Sequence, residues 1–424
     1  MVNQPTVRVP VIDGLRGSAI LLVLFYHVWS RSGFQFNVTL FGHHFDLHTF
    51  IQGGLLGVEI FFFVSGFCLM LPYAGYLAGR RSFQSWKEYV SRRFWKIVPS
   101  YYLALAIFAT WFPFDATDGL NRYYDAGMHA LFLHSFDPRT FSSINSNFWS
   151  LAVEVQFYVL FPLIVWGCLR KPLIAFSAVV GAGLLYSNYI AAAAKDVWFS
   201  WGYQLPSFLP LFALGMACAY VYERWIARAE LSEDMRGQMS AVAIVSVFAL
   251  AYLFEQMDRV SGGYQTWMWQ NGHRLEIGVV LSIFTLSAVC SKRWLQDFVA
   301  NDILTFYSDI SYNMYLWNEA VVVFITRKWN GHPQDAGYLF FAMCTLATTG
   351  AGWIVTRLWE RPLMRYRWNA PRRLFETLRF LPRQPSAANT SSAWPATETF
   401  GHTLTSLPSL SNKNVERVDV SNAS

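Results

Sequence analysis

The chain has 424 residues, of which 54% are hydrophobic, 18% aromatic and only 14% charged. That balance is too apolar and too poor in charge for a soluble two-domain protein, and it reads as an all-α, polytopic membrane protein. The net charge of +6 implies no nucleic-acid partner, because membrane topology and anionic lipid account for it.

Apolar stretches predict ten spans, near residues 12–30, 53–74, 96–114, 147–168, 172–191, 204–223, 239–255, 275–291, 304–326 and 336–358, each about 17–23 residues long. Pro5, Pro10, Asp13 and Arg16 precede the first run and no small-residue cleavage site follows it. The first span is therefore expected to be kept. Of the 33 Lys and Arg residues, only Arg31, Arg122, Arg139, Lys195, Arg259, Arg274, Arg327 and Lys328 fall in the alternate, outer segments. The positive-inside bias then places both termini in the cytoplasm. Cys68, Cys168, Cys218, Cys290 and Cys344 sit in apolar segments at unrelated spacings. They suit packing, with neither a disulfide framework nor a zinc site indicated.

Span one opens with Asp13-Gly14-Leu15-Arg16-Gly17 and closes at Tyr26-His27. Eleven residues of helix put Arg16 and His27 on one face about 16 Å apart, close to the reach of an extended acyl-thioester arm. An ionisable His in such a run is costly in lipid, so it should face protein or water. The outer segment 31–52 holds His43, His44, Asp46 and His48 without the spacing of a metal site, and no metal is expected. Span two carries Glu59 and Ser65 within Gly57-Val58-Glu59 and Ser65-Gly66-Phe67, with Glu59 at a depth similar to that of His27.

Arg93 and Lys96, one turn apart ahead of span three, form with Arg16 a basic inner mouth suited to phosphate oxygens. The outer segment 115–146, with Asp115, Asp118, Asp125 and Asp137, is expected to be a solvated loop. Span four begins Asn147-Phe148-Trp149-Ser150 and brings Glu154 and Tyr158 onto the face of Ser150. Either Glu59 or Glu154 is expected to orient His27 as a general base, or to contact an acceptor hydroxyl. Span nine contains Asp309 to Asn318, and Glu360-Arg361 at the end of span ten is expected to be an exposed ion pair. Residues 1–370 form the membrane domain. Residues 371–424 are basic and then rich in Ser, Thr, Asn and Pro, and are expected to be a disordered cytoplasmic tail.

These blocks, in this order from Ile12 to Pro362, resemble the acyltransferase-3 family of integral membrane proteins, of which bacterial O-antigen acetylases are typical. The resemblance implies ten helices in a bacterial inner membrane, and a short acyl group, such as acetyl, moved from acyl-coenzyme A to a carbohydrate hydroxyl. It also implies that Arg16 and His27 are the essential pair, with acyl-coenzyme A as donor substrate and no bound cofactor. Two positions depart from the family: Lys96 stands where Arg is frequent, and Asn318 where His is frequent. Many relatives add a soluble domain that this sequence lacks, so transfer is expected in the membrane site itself, or with an accessory partner or second copy. Phe25, Tyr26 and Trp29 around His27 favour a short acyl chain. The alternative is a proton-coupled transporter or flippase built on His27, Glu59 and Glu154; no inverted repeat supports it.

Overall fold

Inside a bilayer each backbone polar group must be satisfied within its own segment, and the apolar runs meet that demand as helices. The computed structural model describes residues 8–33, 37–40, 43–46, 51–111, 120–193, 201–260, 263–329 and 337–365. The expected tail after residue 370, Asp115, Asp118 and His48 lie outside the described residues. The long helices are α1 (Pro10–Ser32), α2 (Gly57–Leu77), α3 (Trp86–Trp111), α5 (Phe148–Cys168), α6 (Pro172–Ala193), α7 (Leu205–Val221), α8 (Glu233–Asp258), α9 (Gly263–Cys290), α11 (Asp302–Lys328) and α12 (Tyr338–Val355). Two short helices, α4 (Arg122–Ala130) and α10 (Arg293–Val299), lie between them. Each expected span corresponds to one long helix, and the protein is an all-α, multi-pass integral membrane protein.

Eight of these helices are long and apolar enough to cross a membrane by composition alone. The other two, α3 and α11, are the ones carrying Arg92, Arg93 and Lys96, and Asp309 and Glu319, whose charges lower their hydropathy. A small antiparallel hairpin, β1 (Asn37–Leu40) with β2 (His43–Asp46), pairs Asn37 with Asp46 and Leu40 with His43. Among the described residues no group of three His, Cys, Asp or Glu side chains is placed to hold a metal ion.

Two boundaries move. Helix α3 starts at Trp86, so the basic cluster sits on the helix rather than ahead of it. Helix α9 starts at Gly263, and Arg274, assigned from the sequence to an outer segment, is fully buried in it. Polarity concealed this stretch, because its polar groups bond inside the protein: Asn271 donates to the Ser187 carbonyl (3.1 Å) and Arg274 to Asn271 Oδ1 (3.0 Å). The Arg274 guanidinium also lies 3.8 Å over the Phe208 ring.

Among the described residues the bundle has two large apolar cores and a small satellite cluster around Ile190 and Trp267. One gathers α2, α5, α7 and α9 around Phe63, Phe67, Phe157 and Phe212; the other gathers α1, α3, α11 and α12 around Val23, Tyr101, Met314 and Leu316. Val58 and Phe61 of α2 pack against both and lie on the seam between them.

From residue 120 on, the segment expected to be solvated is instead folded onto the bundle. Asn121 caps α4 by accepting from the Tyr123 and Tyr124 amides. Asp125, His129, His134, Ser135, Thr140, Asn145 and Asn147 are all buried. His129 and His134 stack at 4.1 Å, 4° from parallel, and Asp125 Oδ1 lies 3.1 Å from His129 Nδ1. Burial, then the neighbouring His129, pushes the His134 imidazole down to about 3. Its folded value lies below the unfolded one, so the neutral ring stabilises the fold above about pH 6.5 and that stability is lost as pH falls toward 3. Melting curves in detergent at pH 7, 5 and 4 are expected to show a falling midpoint, and His134→Gln is expected to flatten that acid dependence.

Candidate active site

Helices α1 and α11 run antiparallel to α2 and α5, and a cavity of about 490 Å³ opens among them. Its mouth is formed by Arg8, Arg92, Asp309, Glu360 and Met364, and its far end by Val58, Phe61, Ser150, Leu151 and Tyr315. Arg16, Ser65, Cys68, Arg93, Lys96, Glu154, Tyr158 and Tyr312 line the wall between. From Asp309 to Tyr315 along α11 is six residues, a depth of about 9 Å.

The position of Arg16 follows from the two glycines beside it. A β-carbon on Gly14 would sit 2.0 Å from the Val299 carbonyl oxygen, and one on Gly17 would sit 2.0 Å from that of Leu304. Only glycine lets α1 press backbone to backbone against the end of α10 and the start of α11, as small residues do in membrane bundles. Arg16 then points into the cavity, with Nη2 3.1 Å from Cys68 Sγ and Nη1 3.8 Å from Asp13 Oδ1.

At the mouth the cations are already paired with carboxylates. Lys96 binds Glu360, which also accepts from Asn313 Nδ2 (2.6 Å). Arg8 reaches Asp309 Oδ1 at 2.7 Å, and Arg361 reaches Oδ2 of the same residue at 3.7 Å. Glu360 is thus a buried partner of Lys96 and not an exposed partner of Arg361. An anionic ligand entering here exchanges one set of negative oxygens for another.

Deeper, Glu154 Oε1 accepts from Ser65 (2.6 Å) and from Tyr158 (2.5 Å), and Arg93 lies 5.7 Å over the Tyr158 ring. Glu59 is buried beside Arg274 and its Oε2 has no hydrogen-bond partner. Neither acid is the carboxylate at His27. That residue is Glu319 of α11, whose Oε2 lies 3.6 Å from His27 Nε2 while Oε1 pairs with Arg31. Glu319 comes one turn after Tyr315, so the His27 pair lies just past the closed end of the cavity.

Arg16 and His27 share a face of α1 as expected, but His27 does not line the cavity that Arg16 lines. A wall of Phe61 and Tyr315, 6.0 Å apart edge to face, closes it first. His27 Nδ1 is 2.7 Å from the Val23 carbonyl oxygen. A carbonyl only accepts, so Nδ1 carries the hydrogen and Nε2 is the basic nitrogen.

The remaining sequence candidates have packing roles. Trp149 belongs to an aromatic cluster with Tyr203 (4.8 Å) and Phe208 (5.7 Å). Asn318 accepts from Asn147 (2.9 Å) and donates to the Tyr315 carbonyl (3.2 Å), tying α11 to the start of α5. Glu319 was not singled out from the sequence, and neither Glu360 nor Tyr315 was read there as a site residue. Acidic residues within the expected spans nine and ten were the available signal, and which helix they face is not encoded locally.

O-acetyltransferase OatA of Staphylococcus aureus (strain MRSA252) is 22% identical over 396 residues, 89% of this chain and 59% of that protein. OatA of strain NCTC 8325 / PS 47 is 22% identical over 335 residues, 74% and 51% of the two chains. A protein of strain COL is 24% identical over 357 residues, 78% and 54%. The chain thus spans between half and three-fifths of the length of these relatives. No solved structure matches it significantly. The acyltransferase domain pattern matches residues 9–357, the whole helical bundle, and on that ground the chain belongs to the acyltransferase-3 family.

Proposed function

We propose that this protein is a membrane O-acyltransferase that moves a short acyl group, acetyl in the simplest case, from acyl-coenzyme A to a hydroxyl of a carbohydrate or glycoconjugate. One observation carries the reading: a cavity with Arg16, Arg93 and Lys96 toward one end stops, at the other, one helical turn from the His27–Glu319 pair. By the positive-inside bias the basic mouth faces the cytoplasm, where acyl-coenzyme A is found. The acceptor then reaches His27 from the opposite side, past Arg31. The names of the OatA relatives support O-acetyl transfer.

Phosphates of the donor take Arg16, Arg93 and Lys96, and the acyl arm extends toward Tyr315. His27 Nε2 takes the proton of the acceptor hydroxyl as its oxygen attacks the thioester carbon. Glu319 stabilises the imidazolium that results. The carbon–sulfur bond breaks, and the leaving thiolate recovers the proton from His27. The aromatic and aliphatic closed end, Val58, Phe61 and Leu151, leaves room for a short acyl chain.

Membranes supplied with acetyl-labelled coenzyme A test the proposal: label passes to a glycan acceptor with release of coenzyme A, whereas a carrier moves substrate without acyl exchange. Arg93→Met and Lys96→Met are each expected to raise the donor KM about tenfold, the loss of one charge-assisted phosphate contact, and to weaken its salt dependence. An unchanged KM in both variants removes the phosphate assignment.

A further inference from the structure

An acyl transfer of this kind builds negative charge on the thioester oxygen, and a donor aimed at that oxygen is the usual means of stabilising it. Resting on the acyltransfer reading above, we propose that the Tyr315 hydroxyl is that donor, with Ser150 as its positioning partner.

Among the residues at the closed end of the cavity, only Ser150 and Tyr315 carry a polar side-chain atom. Elsewhere in the cavity, Ser308 sits beside Asp309 at the mouth and the other hydroxyls have fixed acceptors. Ser65 and Tyr158 donate to Glu154, Tyr312 to the Ile97 carbonyl (2.8 Å) and Ser311 to the Ser308 carbonyl (2.8 Å). The cations are spent at the other end. Charge developing near His27 therefore has one neutral O–H within the cavity to receive it.

The hydrogen count leaves that O–H available. Ser150 Oγ and Tyr315 Oη are 2.5 Å apart, and they lie 3.1 and 3.3 Å from the Asn147 carbonyl oxygen. With Ser150 donating to the phenol oxygen across that short contact, the phenol hydrogen can turn from the Asn147 carbonyl to a ligand, and that carbonyl, at the N-cap of α5, keeps the first amide donor of the helix. The phenol is also held in place. Asn147 Nδ2 donates to the Tyr315 carbonyl (3.3 Å) and Asn145 Nδ2 to the Leu316 carbonyl (3.3 Å), fastening this turn of α11 to the chain entering α5. Four residues on, Glu319 occupies the same face about 6 Å away and meets His27. A carbonyl at the closed end thus meets the phenol first, and the His27–Glu319 pair lies one helical turn beyond it.

In the step itself the acceptor oxygen bonds to the thioester carbon and the carbonyl π pair moves onto oxygen. Tyr315 hydrogen-bonds that oxyanion and keeps its own proton. Collapse restores the carbonyl and expels the thiolate.

Tyr315→Phe preserves the ring and its contact with Phe61. It is expected to lower kcat about a hundredfold with coenzyme A affinity held within about twofold of wild type. Ser150→Ala should lower kcat less, because the Asn147 carbonyl then competes for the phenol hydrogen. A Tyr315→Phe turnover within about threefold of wild type overturns the proposal, as does a loss of coenzyme A affinity that matches the loss of rate. Wild-type protein that neither binds coenzyme A nor releases it from acetyl-coenzyme A fails at an earlier point, and overturns the acyltransfer reading together with this one.

Discussion

His27→Gln, present in membranes at the wild-type level, is expected to transfer acyl label at least about a hundredfold more slowly, the scale of a lost general base. The expectation follows from the tautomer. With Nδ1 bonded to the Val23 carbonyl, Nε2 is the basic atom, and it faces Glu319 across 3.6 Å. Glutamine retains hydrogen-bonding capacity and approximate bulk but cannot hold a proton at neutral pH. The proposed donor site, at Arg16, Arg93 and Lys96, is remote from this atom, so coenzyme A affinity should be preserved while turnover collapses. Label transfer and coenzyme A binding measured on the same membranes separate these quantities. Transfer at the wild-type rate would remove His27 from the mechanism.

The second large effect is on the scaffold. Gly17→Ala is expected to destabilise the protein by about 3 kcal/mol or more, the upper range for overpacking, since the clash is with backbone and not with a side chain that can turn away. The added carbon would lie 2.0 Å from the Leu304 carbonyl oxygen, so α1 and α11 must separate. Those two helices carry Arg16 and His27 on one side and Tyr315 and Glu319 on the other. Activity should therefore fall along with the melting temperature in detergent. A variant that melts within about a degree of wild type would show that the helices are not held at this distance.

Parts of the site were legible along the chain because a helix declares its own faces. The spacing from Arg16 to His27 and that from Ser150 to Glu154 and Tyr158 are local properties of a 3.6-residue period. Arg93 and Lys96 stood out because charge at the edge of an apolar run is conspicuous. The buried start of α9 was not legible, since Gln270, Asn271 and Arg274 look like a loop until their partners on other helices are seen. The same holds for the segment around His129 and His134.

Sequence by itself determined the class and the parts: apolar run lengths require membrane helices, and the ordered motifs from Ile12 to Pro362 carry the family. Tertiary structure alone decided the pairings. That Glu319 and neither Glu59 nor Glu154 meets His27, that Glu360 holds Lys96, and that Tyr315 closes the cavity all depend on which helices pack together. The physical reason is that periodicity specifies the direction of a side chain relative to its own axis. Its partner is set by helix crossings, and here those rest on backbone contacts through Gly14 and Gly17 made with residues far away in the chain.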